Sequence, residues 1–434
     1  MNKFFILVFV AFFVSACQEN KDIINPKVEI DKTAMLFSNK AGKDSFNIKS
    51  NADWVIEKNA DADWLSVSKV SGTGDATITV SVGENSKPEP LQTKLTVKVN
   101  GGQNVEIAIT QSKGDEFAGL YILSESSFGT GKSDLAFYDV KRDTLYTKYF
   151  SAQNNGKTLG DVGNDLALYG HKLYCVVSGS GTNYEGHIEI INPNDGKSLK
   201  SITVVSPRCI TFHENKAYVT TWSRNIIRID TASLTIDGTA DLTGTFAEGV
   251  CKHDGKLYVC NSGQGNGRSI SVVDIASFQQ TDSIIVPANP LMIYAVPSGE
   301  LYFTTGDITW SNGPKSNLHA LNPSTKQITK TFDVRASKIA VSRDYVYAVD
   351  FDWEDYSDHF SKINHTDKSV TDLSDKLEDE LTMVYNVSVN PLNNDVYITN
   401  QGDKVVIMDK NDELKPTAFR VGVPYVSKVV SVFK

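Results

Sequence analysis

The chain has 434 residues, 40% of them apolar, with 43 Lys or Arg against 52 Asp or Glu and a formal net charge of −9. That length exceeds one ordinary domain and the apolar share suffices for a sizeable core, so two globular parts are expected. The acidic balance and the lack of a dense Lys/Arg cluster argue against nucleic acid as a partner, because phosphate binding needs a basic patch.

The chain opens with Met1-Asn2-Lys3, then the apolar run Phe4 to Val14. Such a run is too short for a transmembrane helix. It ends at Val14-Ser15-Ala16-Cys17, and a charged start, an apolar stretch and small residues before a Cys resemble a bacterial lipoprotein signal with its lipobox. The alternative is an ordinary secretory signal with a coincidental Cys. The resemblance implies that residues 1–16 are removed and that Cys17 is lipidated, with loss of Lys3 taking the net charge from −9 to −10. Residues 17–27 form a polar tether, and Glu19 and Asp22 in it loosely resemble the export signal for the outer face of Bacteroidetes cells. The expected location is the outer membrane, lipid-anchored and facing the exterior.

Residues 28–112 alternate as strands do, in Asp44 to Lys49, Ala76 to Val82 and Leu95 to Val99, with Asn100-Gly101-Gly102 turning into Val105 to Thr110. Short strands at this spacing predict an immunoglobulin-like β-sandwich. The Asp-Trp pairs at Trp54 and Trp64, Leu65-Ser66-Val67-Ser68, Ser71-Gly72 and the closing Ile109-Thr110-Gln111 resemble a BACON domain, a module named for a suspected carbohydrate-binding role. Either the two tryptophans fill the sandwich core or they serve a ligand; a strand Trp usually packs inward. Residues 113–118 read as a linker.

From residue 119 to 434 a tyrosine returns in a fixed context, as Tyr121, Tyr174, Tyr218, Tyr258, Tyr302, Tyr347 and Tyr397, with spacings of 53, 44, 40, 44, 45 and 50 residues. A strand-built period in the forties predicts one four-stranded propeller blade per unit, strands A to D, with the Tyr in strand B. The first unit supplies Leu120 to Leu123, Asp134 to Tyr138 and Thr144 to Tyr146 as B, C and D but lacks an A, which Val426 to Val432 is expected to provide. The fold class is therefore all-β: an immunoglobulin-like sandwich plus a seven-bladed β-propeller closed by the C-terminal strand.

Strand direction then sorts the loops. The B-to-C and D-to-A connections share one face, called top here, and the tight A-to-B turns such as Asp254-Gly255 share the other. Trp222, Trp310 and Trp353 all fall in B-to-C loops, with Phe128, Tyr184, Tyr356 and Phe360 beside them. Arg224 and Arg268 share those loops, and Arg208 and Tyr425 sit at or near D-to-A connections. Amphipathic rings exposed on a rigid scaffold suit a small-molecule or glycan ligand; the alternative is that the loops fold down and bury the rings against each other. The recurrent tyrosines are expected to pack between blades.

Signals for chemistry are few. Gly131-Lys132-Ser133 lacks the first Gly of a phosphate loop, no Gly-x-Ser-x-Gly elbow occurs, and His359 alone among the histidines falls clearly in a top loop. No catalytic residue, resident metal or cofactor is expected. The acidic run Asp350 to Asp358 reads as a solvated rim or, less simply, as a Ca²⁺ loop without the usual Gly and terminal Glu. Cys175, Cys209, Cys251 and Cys260 read as buried free thiols rather than a disulfide framework.

Tyr121 to Gly129, Leu159-Gly160-Asp161 and Phe419 to Gly422, with the blades between, resemble the YncE-like surface propellers of Bacteroidetes, which include the cobalamin-capturing BtuG group. The resemblance implies a non-catalytic surface lipoprotein that captures a nutrient for a TonB-dependent outer-membrane transporter, with a corrinoid as first ligand. A glycan-binding or adhesin role is the alternative, and a propeller lyase or quinone-dependent dehydrogenase a third.

Overall fold

A computed structural model describes residues 25–59, 62–85, 87, 89–114, 117–180, 185–306, 315–378 and 380–433. The leader, Cys17, Tyr184 and Trp310 lie outside the described residues. The chain divides into two units, Met1–Glu116 and Phe117–Lys434.

In the first unit, alternation of apolar and polar residues builds two facing sheets. One runs Val28–Ile30, Gly42–Ser50, Ala76–Val82, Leu65–Val67; the other runs Ala34–Phe37, Val105–Gln111, Leu91–Val99, Asp53–Lys58, Ser71–Thr73. Their inward residues, among them Phe46, Ile78, Val80, Leu95, Val97, Ile107 and Ile109, are almost wholly buried. Trp54 lies in that core and donates its indole N–H to the Gly74 carbonyl at 2.8 Å, so burial leaves no unpaired donor. Its ring occupies the space a Cβ on Gly72 would need, which is why the Ser71-Gly72 pair accompanies the tryptophan. Trp64 packs half-buried against the same core.

Among the described residues the second unit contains seven four-stranded antiparallel sheets. Six take their strands in chain order, and the seventh joins Thr144–Tyr146, Asp134–Asp139 and Phe117–Ser124 to Val426–Phe433. That C-terminal strand runs beside the first, with Tyr121 opposite Val430 and Phe117 opposite Phe433, so the two chain ends meet in one sheet. Strand thus begins at Phe117, inside the segment read from sequence as linker. Each innermost strand packs on the innermost strand of the next sheet, and the last packs on Val426–Phe433, which itself packs on the innermost strand of the second sheet. The contacts close a ring with no unpaired inner edge, a β-propeller.

The repeated tyrosines hold the ring together. All seven are at most 4% exposed, and each joins its sheet to the next: Tyr121 packs with Leu166 and Cys175, Tyr302 with Ile339 and Val346, and Tyr397 with Leu120 and Ile122 of the first sheet. Near the axis space is tight enough that a Cβ on Gly249 would come within 2.6 Å of the Leu291 carbonyl oxygen on the next strand. Two axial cavities of about 220 and 320 Å³ share Tyr294 and Lys428, whose ammonium lies 3.3 Å from the Tyr294 hydroxyl and 3.8 Å from Asp165. Burial alone would lower the Lys428 pKa, but the Tyr294 and Asp165 oxygens outweigh it and hold the lysine protonated.

Three details differ from the sequence reading. Phe360 is not a loop residue: it sits in the strand Ser357–Asn364 and is fully buried, because that strand extends further toward the top than in other units. His359 is likewise in that strand, 3.1 Å from the Ser357 hydroxyl. A one-turn helix, Tyr149–Gln153, follows the first sheet's outer strand, with Phe150 buried and the Ser151 amide donating to Asp134 at 3.1 Å. All four described cysteines are free and buried, with Cys251 opposite Tyr258 in the ladder.

Candidate functional site

Second strands end and innermost strands begin on one face, as in Asn400 opposite Val384 and Thr305 opposite Pro290. Side chains at these termini and in the following loops form the top face. It carries three arrangements.

The first is a cavity of about 380 Å³ between the fifth, sixth and seventh sheets, whose lining includes Leu291, Lys338, Asp352, Trp353, Tyr385 and Gln401. Its acidic side is tied up internally. Arg335 donates to Asp350 at 2.9 Å and to Asp352 at 2.6 Å, Ser316 donates to Asp350 at 2.6 Å, and Lys315 bridges Asp352 at 3.0 Å to Glu354 at 2.6 Å. Burial pushes the Asp352 carboxyl up, but the Glu354 amide, Lys315 and Arg335 prevail and hold it below the usual carboxylate range. Asp358 accepts the Met383 and Val384 amides and so pins the next sheet's entry. The buried part of the acidic run, Asp350 and Asp352, is therefore an ion-paired brace with counter-charges from Arg335 and Lys315, while Glu354 and Asp355 stay exposed at the rim. Above it Trp353 is 47% exposed and stands edge-on to Phe351, with ring centroids 4.9 Å apart.

The second joins Arg208, Trp222 and Glu248. Arg208 Nε donates to Glu248 at 2.9 Å, its guanidinium lies 4.6 Å over the Trp222 ring, and the indole N–H donates to the other Glu248 oxygen at 2.8 Å. Phe246 closes the far side of the ring at 5.7 Å. Arg208 and Glu248 side chains are only 16% and 13% exposed, so this is a desolvated pair in which breaking one partner strands the other.

The third lies at the mouth of the axis. Glu125, at the end of the first sheet's second strand, faces Tyr385 and feels Lys338 and Arg208 from across the ring. Burial is the stronger influence and raises its carboxyl above the usual range; burial, then Glu125, pushes the Tyr385 phenol well up. Tyr385 stands edge-on to Tyr425, 5.8 Å away.

The residues expected from sequence are dispersed over this face. Phe128 and Tyr356 are 67% and 73% exposed, Tyr356 beside Phe351 at 6.3 Å. Arg224 and Arg268 are exposed, Arg224 donating to the Thr243 carbonyl at 3.1 Å. Tyr425 is half-buried. Arg208 is the second residue of the innermost strand Pro207–His213, next to the connection that precedes it, and Trp222 folds down onto it instead of standing free. Lys338, Tyr385, Glu125, Glu248 and Arg335 escape a reading that ranks loop rings; the available signal was their position, with Lys338, Tyr385 and Glu248 at the first residues of innermost strands, Glu125 just after a second strand and Arg335 in the connection before an innermost strand. Among the described residues no group of three His, Cys, Asp or Glu side chains is placed to hold a metal ion.

Residues 46–112 match the BACON family, described as "Putative binding domain, N-terminal". Residues 118–184 match a family described as "Domain of unknown function (DUF5074)". No curated protein matches the chain. Among solved structures, the chain is similar to a quinonprotein alcohol dehydrogenase-like protein from Bacteroides thetaiotaomicron at 15% identity, with a TM-score of 0.54 over 92% of this chain and 96% of that one. It is also similar to Kuenenia stuttgartiensis hydrazine synthase at 15% identity, with a TM-score of 0.51 over 61% of this chain and 93% of that one. At these identities the likeness is one of fold.

Proposed function

We propose that the protein is a non-catalytic, lipid-anchored surface lipoprotein of the outer membrane that captures a nutrient on the propeller's top face for TonB-dependent uptake. One observation carries this reading: a cavity of about 380 Å³ opens on the face where rings and charged groups from separate sheets converge. A closed ring fixes those groups in advance, so binding orders few side chains and loses little affinity to entropy. The carboxylates lining the cavity are engaged with Arg335 and Lys315, a state suited to holding shape rather than to exchanging protons. The resemblance of Tyr121 to Gly129 and Phe419 to Gly422 to cobalamin-capturing propellers makes a corrinoid the first ligand to try. The test is to incubate the purified protein with cobalamin and desalt it. Retained corrinoid absorbance is expected, and its absence alongside oligosaccharide retention would replace this ligand.

A glycan is the second reading, and a particular observation favours it. Trp353 presents a half-exposed ring to the cavity that the Gln401 amide and the Tyr385 phenol also line, the combination that stacks on a sugar face while bonding its hydroxyls. Anchoring is tested separately: Cys17→Ser is expected to move the protein from the membrane fraction to the soluble one, and unchanged fractionation would refute lipidation.

A further inference from the structure

Among the described residues the top-face cavity contains one cation whose charge its neighbours leave unspent. Arg335 and Lys315 are consumed by Asp350, Asp352 and Glu354, and Arg208 by Glu248. Lys338 is different. It lines the cavity at the start of the sixth sheet's innermost strand, half-exposed, and among the described residues its ammonium has neither a hydrogen bond nor an ion pair. Its field reaches Glu125, but among the described residues no carboxylate stands within 4.0 Å of it. An ammonium held at a cavity wall with three donors free is a ready point for a charge-assisted contact to an anion.

The rest of the lining says what the anion is attached to. Trp353 and Phe351 give one wall a ring surface, Leu291 adds an apolar floor, and the Gln401 side-chain amide makes no hydrogen bond among the described residues. A flat body edged with hydroxyls fits that mixture, and a purely apolar body would leave the amide and Lys338 unpaired. We infer that this cavity binds an acidic sugar, its ring against Trp353 and its carboxylate on Lys338. The inference rests on the glycan reading above and narrows it from sugars in general to uronic acids.

The probes are galacturonic acid, neutral galactose and galactose 6-sulfate, titrated into the wild-type protein, Lys338→Gln, Lys338→Arg and Trp353→Ala with binding followed by NMR and folding by thermal melting. Wild type is expected to bind galacturonic acid at least tenfold more tightly than galactose, the scale of one charge-assisted contact. Lys338→Gln should erase that preference while melting as wild type does, Lys338→Arg should retain most of it, and Trp353→Ala should weaken all sugars together. Galacturonic acid bound no better than galactose, not bound at all, or bound undiminished by Lys338→Gln overturns the inference. Preference for the sulfate ester over the carboxylate overturns the uronic acid assignment and points to a sulfated sugar. Failure of the broader top-face reading looks different: a sugar binds, and Trp353→Ala leaves it unaffected.

Discussion

His319 is a titratable side chain that the fold makes structural. It lies in the strand Asn317–Asn322, 3% exposed, with its two ring nitrogens 3.2 Å from the Thr305 hydroxyl and 2.9 Å from the Thr331 hydroxyl and its ring stacked on Phe303. Burial lowers its pKa from 6.5 to about 4. A histidine kept neutral by the native state contributes stability that is fully present above pH 6.5 and is lost as pH falls through 6.5 toward 4, because the unfolded chain binds the proton first. The shift corresponds to on the order of 3 kcal/mol. Gln does not titrate, so the stability of His319→Gln relative to wild type is expected to rise as the pH falls from 6.5 toward 4 in denaturant titrations. A difference independent of pH would contradict the neutral buried imidazole. The two described tryptophans of the top face divide in the same way. Trp222 closes a desolvated Arg208–Glu248 pair, whereas Trp353 touches Phe351 and otherwise faces the cavity. Trp222→Ala is expected to lower stability by about 2 kcal/mol, since it strips Glu248 of a hydrogen bond and uncovers the pair. Trp353→Ala should stay within about 0.5 kcal/mol of wild type. Equal losses in thermal melts would show that both rings are packing residues.

Strands were more legible than loops. Each blade could be traced because a tyrosine, an apolar run and a turn recur at a spacing that only neighbouring sheets of one kind explain, and the seven buried tyrosines bear this out. Even the missing strand of the first sheet was visible, as an apolar run with no partner of its own before the chain ends. Residues 149–153 were not, because a five-residue helix has too few positions to show a period. The brace around Asp350 to Asp358 was hidden for another reason. Arg335 and Lys315 come from other loops, and pairing across sheets leaves no mark on local sequence. The closing strand yields a prediction of its own. Removing residues 426–434 uncovers the inner edge of Phe117–Ser124 and takes away the wall between the first and seventh sheets, including Val426 and Val429 beside Leu120 and Ile122. The truncated protein is expected to aggregate or to lose its cooperative melting transition. A soluble monomer melting as wild type does would refute ring closure by this strand.

In the molecule as a whole, sandwich and propeller differ in where they place their described tryptophans. The sandwich spends Trp54 on its own core, while the propeller carries its described tryptophans on one face. The core position of Trp54 leaves the first unit without that ring as a ligand platform. The cavity there joins residues far apart in sequence, from Leu291 to Gln401, that only the closed ring brings together. Sequence could locate the face through the tyrosines but not the cavity, whose polar members sit at strand ends that carry no motif. Retention of ligand by the Trp353→Ala variant after desalting, measured beside its melting temperature, decides whether this face is the binding face. Capture there predicts at least a tenfold loss of retained cobalamin or oligosaccharide with an unchanged melting temperature. Full retention by the variant would place binding elsewhere on the protein.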